Sequence, residues 1–391
     1  MRILLANLTK MVDDTGGLAK VTASFANEMH RRGHSVSLVY SDVRTGNFYY
    51  PVDMAVETYD LCHYEGKSKS IPLWYKLKRE LLRSIDTRKA RAVNNDFTKN
   101  YLLDNLQSVL NRTKPDVIVS FQPAASKALL IDLKVTIPVI TMSHGDPEDY
   151  FHIYPVEEIP AIEQSKINQV LLPSFATHIT NYLPNAKTIV IGNAIPRYEQ
   201  EADLLRKKDN YKIIFVARLD KNHKRPHILI EAFAPLAKRY PNWSVEIWGA
   251  EDRKIYKKEL EYLIASNHLE QQVHLMGTST DVPSILQQGD IFAFPSAYEG
   301  FGLSLGEAMS MGLPAIGYKS CPAVNELIIN GKTGILCDDG IKPFSDALEQ
   351  LMKNQKLRAE MGKAGRIHME QYAPQSIWNK WEDLLVRVCN S

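Results

Sequence analysis

One local pattern constrains this chain more than any other feature, and it occurs twice. From Arg2 to Ala6 a short apolar run passes through a Gly16-Gly17 loop into a helical repeat marked by Val21, Phe25 and Met29, which ends near Gly33; a second apolar run, Ser35 to Tyr40, follows at once. Neighbouring parallel strands need a crossover between them, and a right-handed helical connection supplies it, so strand, glycine turn, helix, strand reads as the opening of a parallel α/β sheet. Asp116 to Ser120 and Pro138 to Met142 extend the sheet: both are short, rich in β-branched residues and followed by polar residues at the end where such sheets bind ligands. The pattern resets at Ile189 to Pro196, where IGNAIP leads into the charged, aperiodic RYEQEADLLRKKDN. A second series then begins, with strands at 211–217, 243–248, 272–275 and 290–294 and helices at about 226–239 and 254–266. The expectation is an α/β fold of two Rossmann-like, doubly wound domains, residues 1–195 and 196–371. A last segment, Tyr372 to Val388, carries Ile377, Trp378, Trp381, Leu384, Leu385 and Val388 at helical spacing and needs a groove for its aromatic face.

Length agrees, since 391 residues exceed what one hydrophobic core usually serves. The net charge of +2, from 47 basic and 45 acidic residues, gives no global attraction to nucleic acid. The apolar stretch Ile3 to Ala6 is too short for a secretory signal, and no run approaches the roughly 18 residues of a membrane span, so a cytosolic protein is expected. Cys62, Cys321, Cys337 and Cys389 stand far apart without metal-ligand spacing and read as reduced thiols, mostly buried.

The densest chemical signal is PSAYEGFGLSLGEAMSMGLP, residues 295–314. Gly300 and Gly302 remove side chains where backbone turns sharply or approaches a ligand, and a helix beginning near Ser304 aims its free amides and positive dipole end at that loop, as a diphosphate requires. Glu299 and Glu307 flank the loop, and carboxylates accept hydrogen bonds from sugar hydroxyls. A purely structural reading covers the helix ends: Ser304 with Glu307 as a capping box, Gly312 as a stop and Pro314 as a block. It leaves Glu299 and the two glycines unexplained. In ARLDKNHKRP, residues 217–226, Arg218 and Lys224 lie between a strand and a helix, where two cations can neutralise charge growing on a departing diphosphate; taken alone they also fit a solvated basic turn.

Together these motifs resemble the retaining glycosyltransferases of the two-Rossmann-domain (GT-B) type, specifically glycosyltransferase family 4. The resemblance runs over nearly the whole chain, through TGGLAKV, SHGD, IGNAIP, ARLD with Lys224, VHLMG, FPSAYEGFGLSLGEAMSMGLPAIG and the closing helix. It implies two domains facing across a cleft: an N-terminal domain that binds the acceptor, onto which the helix 372–391 packs back, and a C-terminal domain that binds the nucleotide sugar. By position, Glu299 would contact the transferred sugar and Glu307 the ribose. Backbone around Gly300, Phe301, Gly302, Leu303 and Ser304 would take phosphate oxygens, Arg218 and Lys224 the diphosphate, and Met276 would lie near the base. From the N-terminal domain, Gly16 and Gly17 would approach phosphates and acceptor, and His144 the sugar. Two departures stand out: Ala250, in Trp248-Gly-Ala-Glu-Asp, and Ala194, each where glycine is common in the family.

The resemblance further implies attack by an acceptor hydroxyl on the face the phosphate leaves, with a UDP-sugar as the favoured donor, no prosthetic group and no metal; no DxD-type pair occupies the motif positions. For the acceptor, a glycan or lipid-linked molecule of the cell envelope, the clue is residues 71–91. There Trp74, Tyr75, Leu77, Leu81 and Leu82 alternate with Lys76, Lys78, Arg79, Arg83, Arg88, Lys89 and Arg91, as in a segment resting on an anionic membrane at its cytosolic face. A helix with a solvated basic face fits the same residues. A nucleotide-sugar 2-epimerase and a non-catalytic nucleotide-sugar-binding partner of a transferase are the rival readings.

Overall fold

The computed structural model describes residues 1–251 and 254–390, so Asp252 of the Trp248-Gly-Ala-Glu-Asp segment and Ser391 of the expected C-terminal helix lie outside the described residues. The chain forms two compact units. One comprises Met1–Gly192 together with the chain from Trp378 onward, the other Asn193–Ile377.

In the first unit the strands β1 (Arg2–Asn7), β2 (Ser35–Tyr40), β3 (Glu57–Asp60), β4 (Val117–Ser120), β5 (Val139–Met142), β6 (Ile167–Val170) and β7 (Thr188–Val190) pair in the order β3-β2-β1-β4-β5-β6-β7, every pair parallel. β1 is buried along five of its six residues because helices cover both faces of such a sheet. The crossover to β2 is the helix Gly17–Arg31, which buries Ala19, Ala23, Phe25, Ala26 and Met29 at helical spacing. The closing helix Pro374–Cys389 finds its groove here: Trp378 and Trp381 stand edge-on to Phe25, centroids 5.6 and 4.8 Å away, and Glu382 pairs with Arg32 at 2.6 Å.

The second unit repeats the plan. Strands β8 (Tyr211–Val216), β9 (Trp243–Trp248), β10 (Val273–Gly277), β11 (Ile291–Ala293), β12 (Ala315–Tyr318) and β13 (Gly334–Cys337) pair in the order β10-β9-β8-β11-β12-β13, again all parallel. In both sheets the first strand of the unit has its order reversed on its two sides, and that is where a crevice opens at the carboxyl ends of the strands. For the second unit this is the gap between β8 and β11; for the first, between β1 and β4.

Candidate functional site

The loops leaving β8 and β11 are tied to each other. Ala297 N–H donates to the His223 carbonyl at 2.7 Å, and Arg225 Nε to the Pro295 carbonyl at 2.9 Å. Lys224 Nζ meets Glu299 Oε1 at 2.5 Å, with the two side chains only 18% and 7% exposed. Asp220 shapes the first loop. Burial works to raise its pKa, but the amides of His223 and Asn222, 2.5 and 2.9 Å away, and the charge of Arg218 outweigh it and hold the carboxyl below its ordinary range. Gly249, after β9, crosses this loop so closely that a Cβ would sit 1.8 Å from the Ala217 carbonyl oxygen, and its φ of +156° suits glycine. Ala250 and Ala194, by contrast, have no positive φ, so neither departure strains the backbone.

The helix after β11 runs Leu303–Ser310. Its N-cap is Gly302, at φ 82° and ψ 57°, and no side chain caps it. The expected capping box of Ser304 and Glu307 is therefore absent: Ser304 lies inside the helix, past the position from which a hydroxyl caps, and the first amides keep their outward-facing donors. The stop does form, with Gly312 N–H bonded to the Met309 carbonyl and Leu313 N–H to that of Ala308. Glu299 and Glu307 are both buried, each 6% exposed. Glu307 lies near Tyr198, whose phenol is pushed up by burial and by that negative charge.

The remaining predicted positions divide. Arg218 is exposed just past β8, and Met276 is 41% exposed on β10, two strands away from β8. Phe301 is buried edge-on against Tyr372, so it offers a ligand its backbone. Arg225 and Cys321 were missed by sequence reasoning. Arg225 ties the loops and stacks over Tyr318 at 4.9 Å; Cys321 is pushed up to about 12, first by burial and then by the Glu299 charge, which keeps a thiol beside the site protonated. The KR pair in ARLDKNHKRP was the only available signal for Arg225.

In the first unit, Gly16 is the N-cap of the helix Gly17–Arg31 and donates its N–H to Asp14 Oδ1 at 3.0 Å. His144 follows β5, stacked on Phe121 with centroids 5.5 Å apart and planes 6° apart. Burial alone draws its pKa down to about 4, and its Nε2 has no partner, so the ring is neutral near pH 7 and can act as a hydrogen-bonding group rather than a cation. Residues 71–91 form the helices Leu73–Arg83 and Thr87–Phe97. Tyr75 is buried and Leu82 packs on the core, while Leu73, Trp74, Leu77, Leu81 and Ile85 are each more than half exposed.

Three cysteines are buried and Cys389 is exposed, all unbridged. Among the described residues no three His, Cys, Asp or Glu side chains gather as metal ligands, and no helix is long and apolar enough to cross a membrane.

Residues 196–368 match the family model of the glycosyl transferases group 1. The chain is 25% identical over 396 residues to the amylovoran biosynthesis glycosyltransferase AmsD of Erwinia amylovora, an alignment covering 96% of this chain and 97% of that protein. An uncharacterized glycosyltransferase of Haemophilus influenzae is 28% identical over 50% of this chain, and the capsular polysaccharide biosynthesis glycosyltransferase CapM of Staphylococcus aureus 28% over 45%. The matches to these two span about half of each relative, 55% and 46%. Among solved structures, the pneumococcal O-GlcNAc transferase GtfA in complex with UDP and GlcNAc superposes with a TM-score of 0.78 at 14% identity, covering 100% of this chain and 99% of that one. The chain thus has the GT-B fold, with the crevice between β8 and β11 inside the segment that the family model matches.

Proposed function

We propose that this protein is a glycosyltransferase that moves a sugar from a UDP-sugar to a hydroxyl of a glycan or lipid-linked acceptor in cell-envelope polysaccharide or lipopolysaccharide synthesis, with retention of anomeric configuration. The observation that carries the reading is the meeting of Lys224 and Glu299 at the ends of β8 and β11, beside a helix whose N-terminus no side chain caps. A diphosphate placed there neutralises Lys224 and receives Arg218 and the amides of Gly302, Leu303 and Ser304, with backbone of Gly300 and Phe301 alongside. Glu299, released from Lys224, accepts from hydroxyls of the transferred sugar, Glu307 holds the ribose, and Met276 borders the base. Residues 1–195 receive the acceptor, with Gly16 and Gly17 near the reacting phosphate and neutral His144 on the sugar.

In the reaction the bond from the anomeric carbon to the phosphate oxygen breaks as the acceptor oxygen bonds to that carbon on the same face. The acceptor's proton passes to the departing diphosphate. Arg218, Lys224 and the helix dipole stabilise the leaving charge, so the reading calls for no divalent ion. AmsD and CapM are named for biosynthetic glycosyltransfer and GtfA was solved with UDP, which supports both the acceptor class and the donor base.

A cytosolic enzyme resting on the membrane completes the proposal. The exposed stripe Leu73, Trp74, Leu77, Leu81 and Ile85, flanked by Lys76, Lys78, Arg79 and Arg83, suits an anionic bilayer surface. The deciding experiment is a thermal-shift panel of UDP, GDP and ADP, followed by NMR of the anomeric proton in product made with the donor so identified. Selective stabilisation by UDP and a product anomer matching the donor are expected; no shift with any of the three, or an inverted product, defeats the reading.

A further inference from the structure

The first unit contains a cavity of about 730 Å³ at the carboxyl ends of β1, β2 and β4. Leu8 follows β1, Asp42 and Arg44 follow β2, and Gln122 follows β4; Arg91 comes from the helix Thr87–Phe97 and Glu158 from the far wall. Besides Lys10, which pairs with Asp14 at 3.5 Å, its lining has four acidic or basic side chains, Asp42, Arg44, Arg91 and Glu158.

The two acids are accounted for. Asp42 is 2% exposed and accepts from the amides of Met11, Val12 and Arg44, each at 2.9 Å. Glu158 is 3% exposed, takes one hydrogen bond from Asn95 Nδ2 at 2.8 Å, and leaves Oε2 without a partner. Neither guanidinium is matched in this way. Arg44 and Arg91 are exposed, Arg91 lies over the Tyr154 ring at 4.6 Å, and among the described residues neither has a carboxylate hydrogen-bonded or ion-paired to it. Two forked cations, an aromatic wall from Tyr154 and Phe97, and one unmet buried acceptor therefore face a space large enough for a sugar and more.

We propose that this cavity is the acceptor site and that it selects an acceptor bearing a phosphate group, held by Arg44 and Arg91, next to its sugar or lipid portion. The inference rests on the reading of the chain as a glycosyltransferase whose donor binds in the second unit. Ile71 lines the same cavity two residues before the exposed helix Leu73–Arg83, which places the entrance close to the stripe offered to a bilayer.

Calorimetric titration of the full chain with three probes tests it: methyl α-D-glucopyranoside, α-D-glucose 1-phosphate and geranyl diphosphate. At least one phosphate probe should bind about ten-fold or more tightly than the neutral glucoside, as loss of charge-assisted bonds implies. Tighter binding of the sugar phosphate identifies a soluble source and of the prenyl diphosphate a lipid-linked one. R44A/R91A should remove the preference while keeping its stabilisation by UDP, which also shows that the variant folds. Equal binding of all three probes, or a preference that survives R44A/R91A, overturns the acceptor proposal. Failure of UDP to stabilise the wild-type chain overturns the donor reading instead.

Discussion

Replacing Lys224 by methionine separates what the Lys224–Glu299 contact does for the fold from what it does for the reaction. The charges are 2.5 Å apart, with side chains 18% and 7% exposed. At an effective dielectric constant of about 20 their gross attraction is roughly 6–7 kcal/mol, much of it offset by desolvation. Removing one member of a buried pair costs about 3–5 kcal/mol, because the other charge is left without compensation. Lys224 keeps some solvent, which screens part of this, so Lys224→Met should lower unfolding stability by about 2–3 kcal/mol. Glu299→Gln, which leaves a neutral amide in place of the carboxylate, should cost about 1–2 kcal/mol, and the double variant hardly more than the larger single loss. Urea unfolding of the four proteins yields the coupling directly. Losses that add to within about 0.5 kcal/mol would refute the pairing argument. With the donor found by thermal shift, kcat of Lys224→Met should fall by about 10²–10³ at a temperature where the variant is folded. Retention of turnover within about threefold would remove Lys224 from leaving-group stabilisation.

Glu158 should make stability depend on pH. Burial comes first among the causes that push it up to about 7, with Glu157 adding to the rise and Asn95, Arg91 and Lys127 opposing it. Its folded pKa exceeds its unfolded one, so stability is full below the unfolded value near 4.5 and falls as pH rises toward 7, by up to about 3 kcal/mol. Denaturant melts at pH 5 and 8 should show this fall in wild type and its near absence in Glu158→Gln; parallel curves would contradict it. Gly249→Ala puts a Cβ where the Ala217 carbonyl already stands, and should lower the melting temperature and abolish stabilisation by UDP, whereas Ala250→Gly should do little. His144 should show no imidazole titration by NMR between pH 5.5 and 8, since its folded pKa is about 4. Leu77→Ser/Leu81→Ser should reduce co-sedimentation with anionic vesicles while leaving UDP binding unchanged; undiminished sedimentation would exclude the stripe as the contact.

What the sequence made legible follows from how each element announces itself. β1, β2, β8 and β9 are apolar runs entered and left through turn residues, and the Trp378/Trp381 helix shows its face by spacing alone. β6 escaped notice because its interior is polar: Asn168 and Gln169 are buried and donate to the carbonyls of Ile162 and Ile191, a solution invisible to periodicity. The edge strands β3 and β7 carry too few buried residues to show a pattern. β12 hid inside the glycine motif, where its AIGY reads as the tail of a binding loop. At the site, Lys224 and Glu299 were named separately, yet only the fold brings together residues 75 positions apart. The capping box failed for a related reason: spacing marks Ser304 as the cap, but Gly302, at positive φ, takes that place two positions earlier.

The same strand order serves two different ends. In the second unit the loops at the crevice between β8 and β11 are tied to each other, Ala297 to the His223 carbonyl and Arg225 to the Pro295 carbonyl, so they are already held in place, and the Lys224–Glu299 contact is the one that a bound donor would open. Preorganisation of this kind lets electrostatic stabilisation act without reorganisation during the reaction. In the first unit the equivalent crevice opens into a cavity whose cations come from a loop and from a helix face, Arg44 and Arg91, with no cross-tie between them. Substitution there disturbs neither core nor sheet, whereas a change at Lys224 or Gly249 disturbs both loops. On the proposed reading, donor chemistry is built where variation is costly and acceptor choice where it is cheap; replacing Arg44 and Arg91 should alter which acceptor binds long before it alters the stability of the fold.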